Sequence, residues 1–166
     1  MPPAKKQTST PDPALTRQVD AVMAAARVLV AVVASSVAEV EDQVSLPQLR
    51  ILVMLATRGP LNLVAVAQSL GVHPSNATRA VDRLVVAGFV DRRDVPTDRR
   101  NVSLTLTPAG QQLVDSVFEH RRAAIEAVVQ RMPEAKRRAL PTALECFAEA
   151  AGEVPQSSAG DMGWIH

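Results

Sequence analysis

The stretch NLVAVAQSLGVHPSNATRAVDRLVVAG, residues 62–88, decides the fold. It reads as two short helices joined by a tight turn. Asn62 is an N-cap, because its side-chain oxygen can accept from an orphan N–H of the first turn. Residues 63–70 then form the first helix, and Gly71-Val72-His73 the turn. Pro74 opens the second helix, where its missing N–H leaves no bond unmade. Gly88 ends that helix after Ala87. Two helices in this layout make a helix-turn-helix. At about 100° per residue, Ala77, Ala80, Val81 and Leu84 share one side of the second helix. Ser75, Asn76, Arg79, Asp82 and Arg83 share the other. The apolar side packs the helix down. The polar side suits a DNA major groove, where Arg pairs bidentately with guanine, Asn with adenine, and Ser or Thr with base or phosphate.

Downstream, the period changes from 3.6 to 2. Residues 89–93 read as one strand. Val102, Leu104 and Leu106 alternate with Ser103 and Thr105 in a second. Residues 94–101 are expected to form a long charged loop between them, carrying Asp98-Arg99-Arg100. A narrow minor groove concentrates negative potential and attracts an inserted Arg. Residues 71–101 hold six Arg against four Asp, a local charge of +2 inside a chain whose net charge is only +1.

The flanks are helical. Ser45 and Pro47 mark the start of a helix over residues 48–57, which Gly59-Pro60 stops. Thr107-Pro108 starts a long helix to about residue 131. Met132-Pro133 breaks it, and a last helix covers 134–151. Near the N-terminus, Val19, Val22, Met23, Ala26, Val30, Val33 and Val37 recur at helical spacing, so residues 14–43 are expected to be one long helix. Its ten-residue apolar run, 28–37, follows Arg27 and is too short to span a bilayer. It therefore reads as a helix buried in protein, in a core or between subunits, with no membrane partner. Residues 1–13 hold four Pro and read as a disordered lead-in, and 152–166 as a tail without helical pattern.

With 166 residues the chain has room for one domain and a sizeable core. Aromatics make up 2% of the chain, with no Tyr, which argues against base-stacking modules. The single Cys, Cys146, excludes an internal disulfide, and three scattered His offer no ligand spacing for a metal. No cofactor is expected. Neither a nucleophile–base spacing nor a Gly-rich phosphate loop points to an enzyme. The N-terminus lacks an apolar signal core, so a cytoplasmic location is expected.

A run of short motifs carries a family resemblance. They are Gly59-Pro60-Leu61, Leu63 through Leu70, Gly71-Val72, Pro74-Ser75, Thr78-Arg79, Val81-Asp82-Arg83-Leu84 and Ala87-Gly88. Arg92-Arg93, Asp98-Arg99-Arg100 and Leu104-Thr105-Leu106-Thr107-Pro108-Ala109-Gly110 complete it. Together they resemble the MarR family of winged-helix transcriptional regulators, tightly over residues 47–110. The resemblance implies a mainly α fold with a small β-hairpin. A winged helix-turn-helix lobe at 47–107 is flanked by dimerisation helices at 14–46 and 108–151, all within one domain at 14–151. It implies a homodimer that binds a pseudo-palindromic site on double-stranded DNA, as a repressor that a small aromatic or anionic effector can relieve. By position, Ser75, Asn76, Thr78, Arg79 and Arg83 take the recognition-helix roles. Arg99 and Arg100 take the wing roles, with Asp98 orienting one of them. No effector residues carry over, because the flanking helices match only in position and length. His73 departs from the family's usual Ser or Thr cap, which predicts a less firm start to the recognition helix. Cys146 lies far from the N-terminal helices that carry reactive thiols in peroxide-sensing members, and reads as structural.

Overall fold

The computed structural model describes residues 12–95 and 98–152, without the side chains of 94–101. The elements run α1 (Pro13–Ala38), α2 (Leu46–Arg58), β1 (Leu61–Asn62), α3 (Leu63–Leu70), α4 (Pro74–Val86), β2 (Val90–Val95), β3 (Asp98–Leu106), α5 (Pro108–Gln130) and α6 (Glu134–Ala150). The three strands form one antiparallel sheet in the order β1-β3-β2. This is the mainly helical winged helix-turn-helix with a small β-hairpin that the sequence predicts.

Local chemistry explains most boundaries. Gln48 Oε1 accepts from the backbone N–H of Ser45 at 2.9 Å and from its hydroxyl at 2.7 Å, anchoring the start of α2. Asn62 Oδ1 accepts from Ala65 N at 2.8 Å and starts α3. Gly71, at φ 66°, ends α3 in the left-handed conformation that favours glycine. Thr107 joins wing to helix: its hydroxyl donates to Gly88 O at 2.7 Å and accepts from Gly110 N at 3.0 Å. Gly110 then lies against the Phe89 carbonyl, where a Cβ would overlap that oxygen. The phrase Thr107-Pro108-Ala109-Gly110 is thus the joint that seats the base of the hairpin on α5.

The core sits where α2 crosses α4, β3 and α5. Ile51, Leu52, Val66, Leu84, Leu104 and Val114 are among its fully buried side chains. It draws in residues beyond 47–107. Val40 and Val44 enter it from before α2, and Leu113, Val114 and Val117 from α5.

Four boundaries differ from expectation. First, α1 begins earlier, at Pro13, because Asp12 Oδ1 caps Ala14 N at 2.9 Å, so Asp12 and Pro13 are not part of a disordered lead-in. Second, α1 ends at Ala38 rather than at residue 43. Residues 39–43 turn instead, with Val40 accepting from both Gln43 N and Val44 N, which tucks Val40 and Val44 into the core. Third, β1 is two residues long, too short for any alternation to announce it. Fourth, the hairpin is paired further out than a loop over 94–101 allows. Val95 faces Asp98, and the register shifts between Asp94 and Val95, so residues 99–101 belong to an irregular stretch of β3. Residues 96 and 97 within the expected loop, and the tails at 1–11 and 153–166, lie outside the described residues.

Most of helix α1 lies outside this core, which it meets near its end at Val37. Val19, Val22, Met23 and Val30 are 42–67% exposed. By length and composition α1 also suffices to cross a membrane, with a mean hydropathy of 2.1 in its most apolar 18-residue window. Alanines and valines on both sides of Arg27 extend the apolar stretch past the ten residues the sequence reading counted. Where α1 meets α5, Arg121 is buried and donates from Nη2 to Ser36 Oγ at 3.3 Å. Its guanidinium lies 5.8 Å from the Phe118 ring centre, and burial pushes its pKa below the ordinary value. No residue of α6 is fully buried, and Cys146 on it is exposed. Among the described residues, then, Cys146 is not part of the packed core.

Candidate nucleic-acid interface

Helix α4 is held down by its apolar side. Ala77, Val81 and Leu84 are 0–1% exposed, while Ser75, Asn76, Arg79, Asp82 and Arg83 are exposed. The structure therefore brings the expected polar residues together on one open face. Thr78 belongs to it less fully. It is half-buried, and its hydroxyl donates to the Pro74 carbonyl at 2.9 Å, back into its own helix.

His73 does cap α4. Its Nδ1 accepts from Ser75 N at a long 3.4 Å and lies 2.9 Å from Ser75 Oγ. This is the loosely held start that a His in place of Ser or Thr predicts. Arg79 turns back toward this end of the helix. Its Nη2 donates to Asn76 Oδ1 at 2.7 Å and its Nε to the Ser75 carbonyl at 3.4 Å.

An ion pair ties this helix to the wing. Arg92 on β2 meets Asp82 on α4 at 3.2 Å, with both side chains about half exposed. Sequence reading placed Asp82 on the polar face and Arg92 in a motif but did not pair them. Their link depends on how α4 packs on β2, which no spacing encodes. Arg93 pairs with Asp91 at 3.7 Å on the same strand. With Asp82 engaged by Arg92, the charge left on the α4 face is that of Arg79 and Arg83. The backbone of Asp98, Arg99 and Arg100 runs in β3, the strand that pairs with β2. Their side chains lie outside the described residues, and so does any orienting contact from Asp98. Chemically, the α4 face offers hydrogen-bond donors and positive charge on a rigid helix, with a two-stranded ribbon beside it.

Comparison with known proteins agrees. The model of the MarR family matches residues 44–102. An HTH-type transcriptional regulator of Mycobacterium leprae, ML2140, is 35% identical over 118 residues, covering 69% of this chain and 80% of that protein. The HTH-type transcriptional regulator YfiV of Bacillus subtilis is 27% identical over 106 residues, and the match spans only 66% of its length. Among solved structures, RV1404 from Mycobacterium tuberculosis superposes with a TM-score of 0.74 at 43% identity, over 87% of this chain and 99% of that one. The Thermotoga maritima transcriptional regulator Tm0710, at 22% identity, shares the fold with a TM-score of 0.70 over 87% of this chain and all of that one. This chain belongs to the MarR family of helix-turn-helix transcriptional regulators.

Proposed function

We infer that the chain is a dimeric repressor acting in the cytoplasm, where it reads a pseudo-palindromic operator with two copies of α4 and two wings. The observation that carries this reading is the face of α4. Ser75, Asn76, Arg79 and Arg83 are exposed together on a helix whose other side is locked into the core. Such a face reads base edges from its N-terminal end, while Arg99 and Arg100 on the ribbon reach the adjacent minor groove. The exposed apolar residues of α1, with Leu144 and Phe147 of α6 at 55% exposure, supply the surface for a second copy. On this reading, 14–46 and 108–151 dimerise and 47–107 binds DNA. The same dimer covers the apolar side of α1, which would otherwise fit a lipid bilayer. Relief by a small aromatic or anionic effector belongs to the reading through the family resemblance alone.

The test is fluorescence anisotropy with labelled double-stranded DNA from beside the chain's own coding region. The expected result is sequence-specific binding that weakens steeply with added salt, as released counterions require. Equal affinity for that DNA and for a scrambled duplex contradicts the reading.

A further inference from the structure

The contact between Asn76 and Arg79 separates two ways in which the exposed face of α4 can read DNA. In one, Asn76 and Arg79 each read a base, Asn76 an adenine and Arg79 a guanine. In the other, they act as one reader. We propose the second: Asn76 is a positioning residue that aims Arg79 at a single guanine. The proposal rests on the reading of α4 as the DNA-reading helix.

The chemistry of the two side chains carries it. Arg has only donors, so the Asn76 atom 2.7 Å from Arg79 Nη2 is necessarily its carbonyl oxygen. Bidentate reading of adenine needs that same oxygen to accept from the base's amino group while the amide nitrogen donates to N7. Here the oxygen is engaged in a short, charge-assisted bond with a neighbour on its own helix. The guanidinium is planar, and its Nε and Nη2 lie along one edge. That edge faces α4, with Nη2 on Asn76 and Nε on the Ser75 carbonyl at 3.4 Å. Of the five N–H donors three remain, and two of them, one from Nη1 and one from Nη2, form the end of the fork. Two parallel donors of this kind match guanine O6 and N7.

The surroundings leave this arrangement undisturbed. Ser75, Asn76 and Arg79 are all exposed, so the fork lies on the open face of α4. Among the described residues, the ion pairs are Arg92–Asp82, Arg93–Asp91 and Arg138–Glu134, so no carboxylate competes for Arg79. The Thr78 hydroxyl is turned to Pro74 and does not reach toward the fork.

The experiment is selection of bound duplexes from a random double-stranded pool by the full chain, followed by sequencing, for wild type, Arg79→Ala, Asn76→Ala, the double variant and Asn76→Asp. The readout is base preference at each position, a ratio that uniform loss of affinity does not move. Arg79→Ala is expected to lower discrimination at one guanine about tenfold or more. Asn76→Ala is expected to relax that same position by a smaller factor and no other. The double variant should do no more than Arg79→Ala, because the two act as a unit. Asn76→Asp keeps an acceptor for Arg79 but lacks the amide donors, so the guanine preference should persist. The proposal is overturned if Asn76→Ala relaxes a different position, if the two losses multiply, or if Asn76→Asp loses the guanine. A wild-type chain that enriches no sequence overturns the reading of α4 itself, and this proposal with it.

Discussion

Helices α4 and α1 pose opposite packing problems. Over 13 residues, α4 sends Ala77, Val81 and Leu84 into the core at 0–1% exposure and keeps its charges outside. Over 26 residues, α1 buries only Ser36 fully and leaves Val19, Val22, Met23, Val28, Leu29 and Val30 at 42–67% exposure. The first pattern is a helix completed by its own chain. The second is a helix whose apolar residues are only partly covered among the described residues. The difference separates a helix whose apolar side is buried by its own chain from one whose apolar residues lie open to the association proposed above.

Three substitutions probe the two halves of that comparison, from the largest effect to the smallest. Leu52, at 0% exposure on α2, lies at the heart of the lobe. Leu52→Ala should cost about 2–5 kcal/mol through lost burial and the cavity left behind, read as a lower urea midpoint. A change within noise would mean that the lobe is not the stable half. Gly110→Ala puts a methyl into the Phe89 carbonyl at the joint between wing and α5. Overpacking there should cost about 1–3 kcal/mol, and the amide resonances of β2 should shift more than those of α1. An unchanged midpoint would show that the joint yields freely. Arg92→Ala removes the half-exposed pair to Asp82. Its effect on stability should stay below about 1 kcal/mol. Binding to the operator should nonetheless weaken in anisotropy titrations, because wing and α4 lose their tether. Unchanged operator affinity would mean that packing alone sets the angle between them.

The lobe was the more legible half in sequence, for a local reason. Asn62, Gly71, Pro74 and Gly88 each act on the turn beside them, so the bounds of α3 and α4 followed from residue types. The exposed face of α4 followed from period alone. What escaped depends on tertiary choices. The early end of α1 reflects the pull of the core on Val40 and Val44. The longer pairing of the ribbon reflects a register shift at Asp94, which no alternation encodes. The Asp82–Arg92 pair needs two elements docked together, and the Asn76–Arg79 bond needs a particular rotamer. Thr78 sat in the right place, but its hydroxyl prefers the Pro74 carbonyl. Cys146 was read as structural because it lies far from the N-terminal helices, yet it is exposed on α6.

On the proposed reading, α1 and α6 are completed by a second copy of this chain. Sedimentation equilibrium at micromolar concentration tests it most directly, on wild type and on a variant carrying Val22→Glu and Val30→Glu, both at exposed positions of α1. The expected masses are twice the 17.7 kDa of one chain for wild type and that of a single chain for the variant. A 17.7 kDa species for wild type would contradict that reading, and so would a variant that stays paired.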